Sequence, residues 1–415
     1  MPRNLLVMII SSLGFFFVTA TTFTSLGYVL YTMVAELGWS QAAAGFSFSL
    51  LGLACGLSSP LPPMMMKMFG TRLTMAFGAL VLAVGFFIAS GIHALGFFFV
   101  ATSLMGIGFS LIAPSPAVYL LATWFPNTSA RMIGIYFMTG AAGGIAGPLI
   151  VETIVGASGS WRMHWIVMAI FALVYGLLCL IGIRDAVKVE SVEQVTNAAA
   201  KGKGATGSSP WTVRQALLTP SFLILAFAMM VVQTVVTTMH SALVAHVATL
   251  GLGATAGAFA MSLLAFAGTV AKGVTGALSE KVAPKSLLVG GLALQCGAML
   301  LLYVVRVEPA VYASAVLFGI GWGLSWLSAH ILLLRYFGAA IAGDMTAMAT
   351  MATTFAVLGP PFAGNIADTT GSFATAFLAF AGLLGLAFLS TLFLLRAPRR
   401  PGDAVAETAE LMPAE

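Results

Sequence analysis

Lys272 is the only charged residue in the run 254–278, ATAGAFAMSLLAFAGTVAKGVTGAL. A lysine near the middle of a membrane helix costs about 2.5–3.5 kcal/mol even on the lenient insertion scale, so such a charge is kept where it binds something. Gly268 and Gly276 lie one helical turn to either side, on the same face. That face is expected to meet protein or a water-filled cavity. The alternative is a lysine that snorkels to the interface. Glu280 lies ~12 Å further along at 1.5 Å per residue, so the side chain would have to bridge most of one leaflet. Burial disfavours the charged ammonium, and no acid stands nearby in the run to compensate. An anion brought in from outside restores the charge, so that anion and proton bind together. Lys272 is therefore the expected substrate-binding residue and the expected site of proton coupling.

The other polar residues of the apolar runs are scattered. His240 and His246 are six positions apart, about 240° around a helix, and cannot share a metal ion. His240 is the deeper of the two and either relays a proton or bonds its own helix; His246 reads as external. His93, His164 and His330 read as interfacial. Glu152 is a weaker candidate for a proton site. Tyr119 follows two prolines in Pro114-Ser115-Pro116-Ala117-Val118-Tyr119. Prolines free backbone carbonyls and bend a span, and a tyrosine there either packs or hydrogen-bonds a carboxylate across the cavity. Phe355 is assigned to the cavity by depth alone. Trp322 and Trp326 read as ordinary packing. Cys55, Cys179 and Cys296 show no metal or redox spacing, and no metal or cofactor is expected. An intramembrane enzyme would need acids, histidines or a nucleophile–base pair clustered at one depth, and a channel would need charged or carbonyl rings. Neither pattern is present, so no enzymatic activity is expected.

The elements that must position these groups are membrane spans. Of 415 residues 60% are hydrophobic and 7% charged, against about 25% charged in soluble domains. That composition marks a polytopic membrane protein and makes the net charge of +5 a matter of topology, with no nucleic-acid partner implied. Apolar runs long enough for a ~30 Å core fall near 5–34, 41–66, 73–92, 95–124, 130–155, 163–183, 220–249, 254–278, 285–305, 309–334, 342–367 and 372–395. The first is too long for a cleaved signal and reads as a retained span. The expected architecture is all-α, twelve transmembrane helices in two six-helix pseudo-repeats. The N-terminal half is 1–184, a cytoplasmic linker 185–219, the C-terminal half 220–396, and a disordered tail 397–415. The linker holds AAAKGKGATGSSP, a flexible composition, then WTVRQALL, a short interfacial helix. With the N-terminus inside, fifteen of the eighteen Lys and Arg residues are cytoplasmic; Arg162 and Arg306 fall outside and Lys272 in the membrane. This bias puts both termini in the cytoplasm.

The halves repeat. Shifting the chain by 213 places Gly106–Leu111 (GIGFSL) on Gly319–Leu324 (GIGWGL), Arg131 on Asp344, and Lys67 and Arg72 on Glu280 and Lys285. The matches point to parallel repeats about an axis along the membrane normal. Lys272 falls opposite Ser59, so only the second half carries the charge.

Several of these stretches carry a resemblance. Phe69-Gly70-Thr71-Arg72, between spans 2 and 3, resembles the cytoplasmic loop signature of major facilitators, with Lys67 near the usual place of an acid. Gly276-Ala277-Leu278-Ser279-Glu280-Lys281 keeps the pattern better. Such loops either latch the halves in one state or are solvated clusters; Arg72 and Glu280, and an ion pair between Arg131 and Asp344, are the expected gating groups. The run Leu358–Phe373, LGPPFAGNIADTTGSF, resembles the monocarboxylate transporter family, in which Asp368 belongs to the loop motif. Trp124-Phe125 with Arg131 and Gly134, then Gly140-Ala141-Ala142-Gly143, resemble that family's entrance to span 5, and Gly38-Trp39-Ser40 also fits. Lys272-x3-Gly276-x-Leu278-Ser279-Glu280-Lys281 is similar to span 8 of the related oxalate/formate exchangers, where an arginine holds the substrate. The chain is thus identified as a bacterial member of the monocarboxylate family. The resemblance implies proton-coupled symport of a lactate- or pyruvate-like anion by alternating access, in the cell (inner) membrane, by a monomer; the alternative is oxalate/formate-type exchange. Lysine cannot clamp a carboxylate bidentately. The family's acid one turn earlier is here Gly268, and the middle of span 11, around Phe355, has no second cation. One buried cation favours a monocarboxylate.

Overall fold

The computed structural model describes residues 3–186, 211–338 and 341–398. Residues 187–210 of the expected linker and 399–415 of the expected tail lie outside them. Among the described residues, ten helices are long and apolar enough to cross a membrane. We number the spans α1 (Arg3–Leu37), α2 (Gln41–Leu57), α3 (Leu61–Ser90), α4 (Leu95–Trp124), α5 (Ser129–Ser158), α6 (Trp161–Gly182), α7 (Pro220–Thr249), α8 (Ala254–Leu278), α9 (Pro284–Val304), α10 (Glu308–Phe337), α11 (342–370) and α12 (Ala374–Leu394). Two of the twelve are composite. α2 is short, and the first turns of α3, up to the non-helical Gly70 at φ 78°, extend it. α11 runs as Ala342–Ala352, a 3-10 segment Thr353–Leu358, and Gly359–Thr370. The expected twelve-span, all-helical architecture is what the chain adopts. Val213–Leu217 forms the short helix expected before α7, closed by a capping box between Thr212 and Gln215.

Two further spans are interrupted, each for a chemical reason. α1 widens to a π-helix over Thr19–Thr24, where the Thr21 and Thr22 hydroxyls donate to the carbonyls of Phe17 (2.8 Å) and Val18 (2.6 Å). Back-bonding of this kind loosens a helix. α4 breaks at extended Ala113 before Pro114, as the prolines lead one to expect.

Chain direction alternates, so Arg3 and Arg396 share one face of the bundle, here the terminal face. Glu36, Arg162 and Asp368 lie toward the other, the far face.

The repeat is visible as packing. A Cβ on Gly106 would lie 2.9 Å from Ala54 Cβ and 2.9 Å from Cys55 N; a Cβ on Gly319 would lie 2.9 Å from Ala267 Cβ and 3.0 Å from Gly268 N. Gly78 meets Leu111 and Ile112 as Gly291 meets Leu324 and Ser325. Every partner is displaced by the same 213 positions. The glycines let α2, α3 and α4 approach closely, and α8, α9 and α10 likewise, the small-residue packing that membrane helices use in place of a hydrophobic driving force.

Candidate functional site

α8, α10 and α7 bring three side chains together in the second half. Lys272 lies about three-quarters of the way along α8 from the far face. A helical side chain leans towards its helix N-terminus, which carries the ammonium back towards mid-bundle. There Nζ stands 3.5 Å above the centre of the Trp322 ring of α10. His240 of α7 meets the same indole edge-on, with ring centres 6.4 Å apart. Gly268 is what allows this: a Cβ there would lie 2.8 Å from Trp322 Cε3. The indole fills the space that Gly268 leaves open.

The hydrogen-bond inventory of the cluster is incomplete in a telling way. His240 Nδ1 lies 2.8 Å from the Val236 carbonyl. A carbonyl only accepts, so Nδ1 carries the hydrogen and Nε2 is the nitrogen that takes a further proton. The Trp322 indole N–H is buried and donates to nothing among the described residues, an arrangement that normally costs free energy. No carboxylate pairs with Lys272: the one ion pair among the described residues is Arg162 with Glu36, at 2.5 Å. A cation and an unused donor sit side by side with no anion. Gly27 of α1 packs against the His240 carbonyl, so the seam between the halves runs past the cluster.

Other expected site residues are not joined to it. Tyr119 is 2% exposed, inside the first half near the end of α4, and interacts electrostatically with Asp185 at the terminal face. Phe355 is 64% exposed on an apolar stripe with Met351, Leu358 and Phe362, and Phe362 packs edge-on against Phe380 of α12. Arg131, Asp344, Arg72 and Glu280 are all exposed. Arg131 and Asp344 form no ion pair, and neither do Arg72 and Glu280. Two histidines are deeper than expected. His246 is fully buried, with Nε2 3.3 Å from the Leu302 carbonyl and its ring against Phe377, and His164 is fully buried beside Trp165. Van der Waals packing among spans, to which hydropathy is blind, takes both inside.

The two halves are latched by groups that sequence reasoning left in minor roles. Asp368 of α11 accepts from the Gln41 (2.7 Å) and Ala42 (2.9 Å) amides at the start of α2. A carboxylate is thereby set on a helix N-terminus, where the dipole favours it. Glu152 of α5 accepts from the Thr255 hydroxyl, 3.1 Å, at the start of α8. Thr255 is Ala42 displaced by 213, so the two latches engage equivalent helix starts, each through an acid that the other half lacks at that position. Ser262 donates to the Ile145 carbonyl at 2.8 Å and Ser49 to that of Val357 at 2.5 Å. These bonds lie in the far-face half of the bundle. At the terminal face the bonds among the described residues stay within one half: Thr71 with Asp185, Trp124 with Arg184, Ser221 with Arg396, Lys285 with Leu395 and Arg335 with Ser279. The far face is the closed one.

The signal for Trp322 was present in the sequence as Gly319-x-Gly321-Trp322-Gly323. Glycines on both sides of an indole clear space for neighbouring backbone, and Gly268 supplies the opposing gap.

The sequence family described as Major Facilitator Superfamily matches residues 11–357. No curated protein sequence matches the chain. Among solved structures, a point mutant of the nucleoside transporter NupG superposes with a TM-score of 0.79 at 14% identity, covering 95% of this chain and all of that one. A bacterial homologue of the human lysosomal transporter Spinster, inward-facing and unoccupied, superposes with a TM-score of 0.72 at 15% identity, covering 95% of each chain. A D-xylose–proton symporter gives 0.73 at 16% identity over 95% of this chain and 99% of that chain. At these identities the likeness is one of fold.

Proposed function

We propose that this chain, which belongs to the Major Facilitator Superfamily, carries a small monocarboxylate of the lactate or pyruvate kind together with a proton by alternating access. The family and the neighbouring folds are transporters, not enzymes. Their cargoes are not carried over at 14–16% identity.

The single observation that carries the reading is the unpaired ammonium of Lys272 beside the unused Trp322 N–H. A substrate carboxylate would put one oxygen on Nζ and the other on the indole donor. Charge-assisted bonds of this kind are about twice as strong as neutral ones. The anion also supplies the countercharge that Lys272 lacks, so it binds to the protonated lysine and proton and anion travel together. His240, on the other side of the indole with Nε2 free to accept, relays the proton. Lys272 stands alone as a cation in the cluster, which fits one carboxylate better than two and favours this reading over oxalate-type exchange.

Positive-inside bias supports a cell (inner) membrane protein with both termini in the cytoplasm. The terminal face is then cytoplasmic, and the conformation described is closed outside. Arg131, Asp344, Arg72 and Glu280, apart here, are the groups that would meet when the cytoplasmic side closes. A monomer suffices, since the whole cluster lies in one chain.

Proteoliposomes test the reading. Uptake of labelled lactate should be driven by an inward proton gradient, and Lys272→Gln should abolish it while the protein remains folded. Normal uptake by that variant would end the proposal. Uptake that needs internal counter-anion and ignores the proton gradient would assign exchange instead.

A further inference from the structure

We infer that an anionic phospholipid binds in a groove between α3 and α6, with its phosphate on Arg72 and Arg184 and one acyl chain in the groove. The groove is independent of the central site and of what that site carries. It has a volume of about 760 Å³ and its walls are apolar, with Phe69, Leu73, Phe77 and Leu80 on one side and Leu173 and Leu177 on the other. Its floor is the crossing of α3 and α6, where a Cβ on Gly176 would lie 3.3 Å from that of Ala79. Small residues there and large ones on the rim make a trough.

Depth and charge identify the occupant. Past the break at Gly70, Arg72 and Leu80 are eight positions apart, ~12 Å along a helix, and one leaflet of a ~30 Å hydrocarbon core is about 15 Å. The trough is therefore one acyl chain deep and ends at the terminal face. At that mouth Asp185 accepts from the Thr71 amide, 3.0 Å, which brings the neighbouring residues Arg72 and Arg184 to the same spot. Both are exposed, as is Lys67 in the preceding turns, and none forms an ion pair among the described residues. One oxygen of Asp185 takes the amide, and against its single negative charge Arg72, Arg184 and Lys67 leave a net positive mouth on an apolar trough. A chain and a phosphate match both parts at once.

Native mass spectrometry of the full chain in detergent, with phosphatidylglycerol and phosphatidylcholine of identical acyl chains, tests this. A basic residue near an anionic headgroup is worth roughly fivefold in affinity, so phosphatidylglycerol should be retained well above phosphatidylcholine. The double variant Arg72→Gln, Arg184→Gln should lower phosphatidylglycerol retention by about 25-fold and leave phosphatidylcholine unchanged. Leu177→Trp, which narrows the trough at an exposed position, should lower retention of both lipids. Thermal unfolding of each variant confirms that it is folded. Equal retention of the two lipids by the parent, no effect of the arginine substitutions, or dimer adducts in place of lipid would overturn the assignment.

Discussion

The Lys272 ammonium stands 3.5 Å above the centre of the Trp322 ring, and His240 flanks the same ring from a third helix. A cation over an indole face gains ~0.5–1 kcal/mol when exposed and ~2 or more when desolvated. That is less than the several kcal/mol of desolvation an unpaired buried ion bears. The ring therefore holds the lysine in place without satisfying it, and on the proposed function a substrate carboxylate would supply the missing countercharge.

Replacing Lys272 separates charge from protonation. Lys272→Gln leaves an anion without its cation, which costs ~3–5 kcal/mol in a buried pair, two orders of magnitude or more in affinity. Lys272→Arg keeps the charge at all accessible pH, because arginine does not deprotonate in proteins. On the proposed function the parent binds the anion to the protonated lysine, and its affinity should then fall as pH rises and the lysine loses its proton. The arginine variant should show a flat profile over about pH 6–9. Equilibrium binding of labelled lactate across that range reads both.

Trp322→Leu removes a contact that favours the protonated lysine. Protonation then requires more acid, so the pH of half-maximal uptake should move down, by up to about 1.5 pH units for a contact of ~1–2 kcal/mol. Uptake against external pH, in vesicles of fixed internal pH, measures the shift.

Asp368→Ala should release the far face. Hydrogen bonds to a charged group contribute ~1.5–3 kcal/mol, so the far-open population should rise by about ten- to a hundredfold. A Ser49→Cys probe, at the seam between α2 and α11 and placed in a background without the three native cysteines, should react faster with a membrane-impermeant maleimide applied from the far face. Unchanged labelling would mean that the latch does not limit opening.

Gly106→Val and Gly319→Val should be comparably destabilising, since each puts a side chain into the same contact in its own half. Overpacking costs ~1–3 kcal/mol. Gly297→Val, at an exposed helix position with no atom near its Cβ, should change the midpoint little. Thermal unfolding in detergent compares the three.

Much of the architecture was legible in residues. Run lengths set the spans, and the 213-residue offset that aligned GIGFSL with GIGWGL reappears as equivalent glycine contacts. Lys272 stood out because a charge in an apolar run has no ordinary reason to be there. The rest of the site was not legible to the same degree. Phe355 was assigned by depth and Tyr119 by the prolines before it, and neither depth nor a bend fixes azimuth: Tyr119 is sealed in its own half and Phe355 lies on an exposed apolar stripe. Asp368 read as part of a loop motif because its partners are backbone amides of a span more than three hundred positions away.

By itself, then, the sequence determined the number of spans, their pairing into two halves, and the one charge that must find a partner, all of which follow from transfer free energy and periodicity along the chain. Tertiary structure alone decided that Trp322 lies under Lys272, that His240 shares the ring, and that the far face is the one closed. In a membrane, lipid is as apolar as protein interior, so hydropathy does not tell the buried face of a helix from the lipid face. The rotation of each helix is fixed by contacts between small residues on different spans, and those exist only once the spans have met.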